Sequence, residues 1–362
     1  MIPIYQPYRA KNTKKYVNEC LDSNWISSRG KFIEKFEDEF ANFIGADDAV
    51  SVFNGTVALH LALVAIGIGE GDEVIVPTFT YIASVNTILQ SGAKPVFVDC
   101  NIETLQIDVS KIKEKINSRT KAIMAVHLYG GCSELPTLRA ICDEFGLLLI
   151  EDAAEAFGTY YDNQHAGTFG DVATFSFFGN KTITTGEGGM VIARDASIIE
   201  RLRHLKSHSV SQEREYWHDC LGYNYRMTNI QAAIGLSQLE EADDILAKKR
   251  EIGQFYIKLF DQLPPRLFNP KSPITNSWWL CSVLTRTPNE RDQFRKHLSN
   301  NHIETRPFFP LTHEMPHLGR CGSFPISSVV SSTGINLPSF PDLSLQQLDH
   351  IAKAVVSFWS EE

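Results

Sequence analysis

The sequence predicts an α/β fold in which helices cover both faces of a mostly parallel sheet. Seven short apolar runs recur, at residues 49–53, 73–77, 95–99, 122–128, 147–152, 173–177 and 189–193. Their apolar residues are continuous rather than alternating, which is typical of strands that are buried on both faces. Helical patterns such as GTVALHLALVAIG and LPTLRAICDEFG separate the runs. This alternation of strand and helix favours a layered fold built on a parallel sheet.

The pattern changes after Thr228. Residues 228–263 predict one long helix that begins at Thr228 or Asn229 and ends at the LPP sequence. Beyond it the chain predicts strands at 277–285 and 303–309, and helices at 289–301 and 344–359. We therefore predict a large domain at residues 1–247 and a smaller α+β domain at residues 248–362.

Length and charge narrow the class of protein. The chain has 362 residues, of which 43% are hydrophobic and 21% are charged, as in a soluble globular enzyme. The formal net charge is −9, which argues against nucleic acid as a partner because that affinity depends on clustered Lys and Arg. The longest apolar stretch, ALHLALVAIGIG, is too short and too interrupted to span a bilayer, so no membrane partner is expected.

Cysteine usage indicates a reducing compartment. The seven cysteines are scattered and include no C-x-x-C pair, which argues against a disulfide framework and against a zinc site. The N-terminal segment MIPIYQPYRAKNTKK has no apolar signal-peptide core. We therefore expect a cytoplasmic protein that has no metal ligands.

Ligands of parallel sheets bind beyond the carboxyl ends of the strands, so the residues that follow each run are candidates for chemistry. After the first run, Gly55 and Thr56 open a helix whose free N–H groups suit a phosphate. The alternative is an ordinary turn capped by a threonine. After the second run, Tyr81 suits stacking on a ring-shaped ligand. The alternative for Tyr81 is a core or surface residue.

An acidic residue ends the fifth run. Asp152 stands at the carboxyl end of a strand that is expected to be central and dry. A buried carboxylate there requires a cation. That cation is either a structural Arg or Lys, or a cationic group of a ligand such as a protonated ring nitrogen.

The segment SFFGNK follows the sixth run. Ser176 and Asn180 are small polar residues that suit contacts to a phosphate. Lys181 stands among aromatic residues and glycines rather than in solvated, charged company. Partial burial destabilises the ammonium form of a lysine and so lowers its pKa, and a neutral amine can attack a carbonyl to form a Schiff base.

Together these residues are the components of a site for pyridoxal 5′-phosphate (PLP): a phosphate cradle, an aromatic side chain over the ring, an acid for the ring nitrogen and a lysine for the aldehyde. Two other readings stay open. One is a binding or regulatory protein without activity, because fold alone does not establish function. The other is an α/β enzyme of another class with a structural pair of Lys181 and Asp152.

Six segments resemble the DegT/DnrJ/EryC1/StrS family of nucleotide-sugar aminotransferases, which are fold-type-I PLP enzymes. They read VFNGTVALHLAL, GDEVIVPTFTYIAS, PVFVD, IEDAAEAFG, GTFGDVATFSFFGNKTITTGEGGMV and GYNYRMTNIQAAIGLSQL. The resemblance extends from IPIYQP near the start to INLPSFPDLS near the end. It implies a three-layer sandwich with a mostly parallel sheet and a smaller C-terminal domain.

The resemblance also implies a role for each site residue. Lys181 is expected to bond to the cofactor aldehyde and then to act as the general acid and base. Asp152 is expected to pair with the ring nitrogen and Tyr81 to stack on the ring. Gly55, Thr56 and Ser176 are expected to hold the phosphate. Asn180, which suits a phosphate contact by its residue type, is expected to belong to the cofactor site as well.

Three further positions carry expectations from the family. Glu155 stands where relatives often have Gln or His near the ring hydroxyl, so a carboxylate here departs from the common pattern. Asn224 matches an asparagine that reaches the cofactor phosphate of the neighbouring subunit, which implies a homodimer with shared sites. His313 resembles a histidine near the sugar nucleotide.

The segments ECLDSNWISSRGKFIEKFE, SFFGNKTITTGEGG and IETRP resemble most the branch of the family that forms GDP-perosamine. This implies transfer of the amino group of L-glutamate to C4 of GDP-4-keto-6-deoxy-D-mannose, for surface polysaccharide (O-antigen) synthesis. The alternatives are a UDP- or dTDP-linked keto sugar as acceptor, or a 3-dehydratase. Family dehydratases have histidine at the lysine position, so Lys181 favours amino transfer.

Overall fold

A computed structural model describes residues 1–319 and 321–360 of the chain. Its helices are α1 (Thr13–Asp22), α2 (Lys31–Ile44), α3 (Gly55–Ala65), α4 (Ile82–Gln90), α5 (Leu135–Phe145), α6 (Ala196–Leu205), α7 (Asn229–Leu239), α8 (Ala242–Phe260), α9 (Pro288–Asn300), α10 (Pro325–Thr333) and α11 (Leu345–Ser360). Within these described residues, no helix combines the length and the apolarity that crossing a bilayer requires.

The strands form three sheets. They are β1 (Val50–Val52), β2 (Glu73–Pro77), β3 (Lys94–Val98), β4 (Thr120–Val126), β5 (Leu148–Asp152), β6 (Tyr160–Tyr161), β7 (Gln164–His165), β8 (Val172–Ser176), β9 (Gly189–Ala193), β10 (Arg266–Leu267), β11 (Ile274–Thr275), β12 (Cys281–Leu284), β13 (Arg306–Pro307) and β14 (Gly334–Leu337). The seven apolar runs of the sequence coincide with β1, β2, β3, β4, β5, β8 and β9, and all seven belong to one sheet.

The large sheet has the order β1-β9-β8-β5-β4-β2-β3. The neighbours from β3 to β8 are parallel, whereas β9 is antiparallel to both β8 and β1. The prediction of a mostly parallel sheet is thus confirmed. Because β1 and β8 run in the same direction as the parallel strands, their carboxyl ends lie at one edge with those of β2, β4 and β5.

Helices cover both faces of this sheet. On one face, Leu59 and Leu63 of α3 share a core with strand residues such as Val74 and Val172. On the other face, Phe36 and Phe40 of α2 and the apolar side of α7 pack on the opposite side chains of β8 and β9. Successive strand residues point to opposite faces, so continuous apolar runs can feed both cores. The result is the expected three-layer arrangement.

The C-terminal part is built on a four-stranded antiparallel sheet of order β10-β12-β14-β13. Helices α8, α9 and α11 enclose a separate core around Tyr256, Phe294 and Ile351. The predicted strands are shorter than expected, because only 281–284 and 306–307 pair within this sheet. The predicted boundary at residues 247 and 248 falls inside α8.

The prediction of one helix over residues 228–263 is wrong, since two helices occupy this range. Thr228 caps α7, and its side chain and that of Gln231 form a reciprocal capping box. The backbone leaves the helical region at Glu241, where ψ is 17°. Glu241 accepts hydrogen bonds from the hydroxyl of Tyr8 and the backbone N–H of Lys11, both at 2.7 Å. These long-range contacts stabilise a break that periodicity does not reveal.

Candidate active site

The carboxyl edge of the large sheet encloses a cavity of about 370 Å³, a size within the range of small-molecule sites. Eight of the predicted site residues line it: Gly55, Thr56, Tyr81, Asp152, Glu155, Ser176, Asn180 and Lys181. They end or follow four different strands, β1, β2, β5 and β8. The cavity therefore forms because parallel strand ends converge at one edge.

One end of the cavity is formed by the start of α3. Asn54, rather than Thr56, caps this helix: its side chain accepts a hydrogen bond from the N–H of Val57 at 3.0 Å. Thr56 therefore does not serve as the cap. A Cβ atom on Gly55 would lie 2.8 Å from the Cβ atom of Ser176, so only glycine leaves the space between helix and strand open.

Asp152 lies at the base of the cavity and is almost fully buried. Its carboxylate accepts hydrogen bonds from the hydroxyl of Ser84 at 2.7 Å and from the N–H of Ala154 at 3.2 Å. Burial raises the pKa of Asp152, and these hydrogen bonds and the charge of Lys181 oppose the rise. Among the residues described, no Arg or Lys lies within ion-pair distance of it, so the structural-cation alternative finds no support.

Lys181 projects into the cavity and is mostly buried, with 13% of its side chain exposed. Its Nζ atom lies 3.5 Å from Oε1 of Glu155 and 4.1 Å from the ring centroid of Trp279. The expected partial burial is thus present. The side chain faces one carboxylate and one aromatic face, whereas a solvated surface lysine would face water.

Glu155 is a second buried carboxylate beside the lysine. Its Oε2 atom accepts a hydrogen bond from the backbone N–H of Tyr129 at 3.0 Å. Burial is the main cause that raises the pKa of Glu155, and the nearby charge of Lys181 opposes it. The neighbouring Asp152 raises the pKa further because two carboxylates repel each other.

The rim and wall of the cavity include the other two polar candidates. Tyr81 is 56% exposed, and its ring lies 5.5 Å from that of Phe309. Its face is thus accessible from the cavity. Asn180 is different, because its Oδ1 atom is buried and has no hydrogen-bond partner among the described residues. Such an atom is unusual in a folded protein and points to a ligand donor.

Two predicted site residues do not line the cavity. Asn224 is exposed, and its Oδ1 atom accepts hydrogen bonds from the guanidinium of Arg226. His313 is buried: its Nδ1 atom shares a hydrogen bond of 2.6 Å with the hydroxyl of Thr78, and burial lowers its pKa. Their expected roles remain predictions.

Among the residues of the site that the sequence reasoning missed are His127, Ser84 and Trp279. His127 follows β4, so the rule of searching beyond each strand would have found it; its ring is paired with Glu151 at 2.9 Å. Ser84 lies on α4, one helical turn after Tyr81, and has no local signal. Trp279 comes from the C-terminal part of the chain, so only the tertiary fold places it here.

Comparisons with known proteins agree with this geometry. The DegT/DnrJ/EryC1/StrS aminotransferase family profile matches residues 7–356. GDP-perosamine synthase of Escherichia coli O157:H7 is 51% identical over 362 residues, which cover 100% of this chain and 99% of the relative. GDP-perosamine synthase of Vibrio cholerae is 50% identical over 365 residues, with coverage of 99% and 100%.

The architecture also matches a solved structure. Spr1654 of Streptococcus pneumoniae in its PLP form superposes with a TM-score of 0.93 at 25% identity, with 99% of each chain covered. The predicted fold class and the predicted family are thus confirmed. The chain belongs to the DegT/DnrJ/EryC1/StrS aminotransferase family.

Proposed function

We propose that this chain is a PLP-dependent aminotransferase that moves the amino group of L-glutamate to C4 of GDP-4-keto-6-deoxy-D-mannose and so forms GDP-perosamine for O-antigen synthesis. The observation that carries the proposal is the cavity in which the amine of Lys181 lies 3.5 Å from Glu155 and shares the space with buried Asp152. Family membership supports amino transfer. The names of two full-length relatives, at 51% and 50% identity, support the GDP-linked sugar.

The residues of the cavity fit the cofactor. Gly55, Thr56 and Ser176 would hold its phosphate, since the start of α3 offers N–H groups and a Cβ on Gly55 would fill the space. Asn180 carries a buried acceptor that has no hydrogen-bond partner within residues 1–319 and 321–360, and Glu155 would face the ring hydroxyl. Bound PLP supplies an aldehyde carbon that carries the amino group between substrates and a ring that accepts an electron pair.

Asp152 has the task of keeping a proton on the ring nitrogen. Burial alone raises the pKa of its carboxyl group, so a cationic partner is required to hold it ionised. Ser84 and the N–H of Ala154 fix the direction of the carboxylate. The exposed face of Tyr81 at the rim would pack against the flat side of the ring.

We assign the proton transfers of both half-reactions to Lys181. Its amine would take the proton from the α-carbon of glutamate in the first half-reaction and deliver a proton to C4 of the sugar in the second. Glu155 can hold a proton beside this amine, since burial raises the pKa of its carboxyl group and its Oε1 atom lies 3.5 Å from Nζ of Lys181. Glutamate leaves as 2-oxoglutarate, and the sugar ketone becomes an amine, so the amino group is conserved.

We further propose a homodimer in which Asn224 completes the partner's site. Asn224 is exposed and lies outside the cavity of its own chain. The segment before it carries large exposed apolar side chains, among them Tyr216 and Leu221. Exposed apolar groups of this kind are typical of protein–protein contacts.

We keep residues 1–247 and 248–362 as the proposed domains.

The proposal is tested with purified protein, PLP, glutamate and the GDP-, UDP- and dTDP-linked 4-keto-6-deoxy sugars. An amino sugar is expected from the GDP substrate, and a 3-deoxy product without amine would instead indicate a dehydratase. Borohydride reduction should fix the cofactor mass to the peptide that carries Lys181. Lys181→Ala should be inactive, whereas Lys94→Ala, which alters an exposed lysine, should be active. Native turnover by Lys181→Ala would refute the assignment.

A further inference from the structure

A second lysine is buried more deeply than the one in the cavity. Lys249 of α8 has no exposed surface. Its Nζ atom donates hydrogen bonds to the carbonyl of Trp279 at 2.9 Å, the carbonyl of Ser339 at 2.5 Å and the hydroxyl of Ser339 at 2.6 Å. All three donors of an ammonium are thus used, and each acceptor is neutral.

This arrangement is unusual because it contains no counter-charge. Within the described part of the chain, Lys249 forms no ion pair. The other groups that face it are the ring of Tyr5, 5.5 Å from Nζ, and the thiol of Cys281. Burial lowers the pKa of Lys249 to about 7. An apolar side chain of similar size would avoid the desolvation cost of a buried lysine. Filling of space therefore does not explain why a hydrogen-bond donor lies here.

Trp279 connects Lys249 to the cavity. Its carbonyl accepts the hydrogen bond from Lys249, and its indole ring lies over Nζ of Lys181 at 4.1 Å. The indole N–H donates to the carbonyl of Asn180 at 2.7 Å, directly before Lys181. The hydroxyl of Tyr5 donates to the carbonyl of Lys181 at 2.5 Å. Two groups next to Lys249 therefore fix the backbone that carries the reactive amine.

We propose that Lys249 is a positioning residue for amino transfer: its Nζ group donates to the backbone of Trp279 and holds it so that the indole keeps the amine of Lys181 in place. The inference rests on the proposed role of Lys181 in the reaction. Lys249 itself does not line the cavity. The proposed effect passes through Trp279, so a Trp279 variant separates it from general stability.

Loss of the Lys249 side chain should change the geometry around the amine of Lys181. Without the Nζ group, the carbonyls of Trp279 and Ser339 lose their common donor, and the backbone that carries the indole can shift relative to Lys181. Small displacements of a catalytic group slow a reaction strongly, because the reacting atoms must approach in one orientation. The amine of Lys181 also loses the ring that covers it, so reagents in solution reach it more easily.

The test compares Lys249→Met and Lys249→Gln with wild type. Both replacements remove the Nζ donor and are shorter than lysine, and glutamine keeps a polar group should methionine fail to fold. We expect kcat to fall at least about 10-fold while KM for glutamate changes less than about twofold. Lys248→Met is the matched control, since its exposed side chain precedes Lys249 on the same helix.

A second readout uses the cofactor-free protein. Acylation of Lys181, followed by mass spectrometry of its peptide, should be at least about threefold faster in Lys249→Met than in wild type, because the indole covers the amine less. In a Trp279→Leu background, Lys249→Met should change kcat by less than about twofold, as expected for residues that act in series.

Two results would overturn the inference. One is a folded Lys249→Met or Lys249→Gln protein with the wild-type kcat and the wild-type acylation rate. The other is an undiminished effect of Lys249→Met on kcat when it is introduced into the Trp279→Leu variant, which would mean that Lys249 acts independently of the indole. Failure of the proposed function looks different: wild type and Lys248→Met would then both lack transamination, while the acylation rates would still report on Lys249.

Discussion

Replacement of Lys249 by methionine should change how the stability of the fold depends on pH. Burial lowers the pKa of Lys249 from 10.5 to about 7. Between these two pH values the unfolded chain binds a proton at this lysine and the folded chain does not. The free energy of unfolding of the wild type therefore rises with pH across this window and falls as pH decreases through 7. Methionine does not titrate, so the variant lacks this contribution.

The magnitude follows from the two pKa values. Between pH 7 and about pH 9, the linkage relation gives a change of roughly 2 kcal/mol in the wild-type free energy of unfolding relative to the variant. The thiol of Cys281 and the hydroxyl of Tyr5 face the lysine, and burial raises the pKa of both, to about 12 for Cys281. In the folded protein these groups therefore stay neutral throughout the window.

The assay is urea unfolding at pH 7 and about pH 9 for wild type, Lys249→Met and Lys248→Met, followed by tryptophan fluorescence. The difference between wild type and Lys249→Met should move in favour of wild type as pH rises. The side chain of Lys248 is 41% exposed and pairs with Asp342 at 3.3 Å, so Lys248→Met should follow the wild-type profile. Parallel profiles for wild type and Lys249→Met would refute the lowered pKa of the buried Lys249.

Three further predictions concern the cavity. Gly55→Ala places a Cβ 2.8 Å from that of Ser176 and should weaken PLP binding at least about 10-fold in equilibrium dialysis; Gly69→Ala, where the nearest atom is 3.6 Å away, should bind normally. Asp152→Asn should fold but lose at least about 100-fold in kcat, because an amide does not hold the ring nitrogen protonated; unchanged turnover excludes that role. Asn224→Ala should lose PLP on dialysis, and full retention would argue against a shared site.

Much of the main sheet was predictable from local pattern. Each of the seven apolar runs forms a strand of the large sheet, because a strand that is buried on both faces needs apolar residues at every position. The direction of β9 was not predictable, since a pattern of burial carries no information on orientation. The break at Glu241 was hidden for another reason: it depends on contacts to Tyr8 and Lys11, more than two hundred residues earlier.

The residues of the candidate site also separate into those with a local sequence signal and those placed only by tertiary contacts. Gly55, Asp152 and Lys181 follow strands directly, so the rule that ligands bind at strand ends located them. Trp279 lies 99 residues beyond the carbonyl of Asn180 that its indole N–H binds. Ser84 is recognisable only once α4 is known to present it to Asp152. Residues that act through tertiary contact thus have no signature in the local sequence.

Burial alone does not mark a reactive lysine, although the sequence argument for Lys181 began from burial. Lys249 is the more deeply buried of the two, with no exposed surface against 13% for Lys181. The difference is in the partners. Three neutral acceptors occupy the donors of Lys249, whereas Lys181 faces an aromatic ring and one carboxylate across an open cavity.

The adjacent carboxylates of Glu151 and Asp152 also differ in their hydrogen-bond partners rather than in burial. The carboxylate of Glu151 accepts hydrogen bonds from the N–H groups of Gly167, Phe169 and Gly170 and is paired with His127, so its oxygens are satisfied within the protein. Asp152, the next residue, accepts hydrogen bonds from Ser84 and the N–H of Ala154 and from no other group among the residues described, and burial raises its pKa. Adjacent residues on one strand thus point to opposite faces, and only the one with unused capacity faces the cavity. Unsatisfied hydrogen-bonding capacity at the cavity, rather than burial, distinguishes the groups proposed to meet the cofactor.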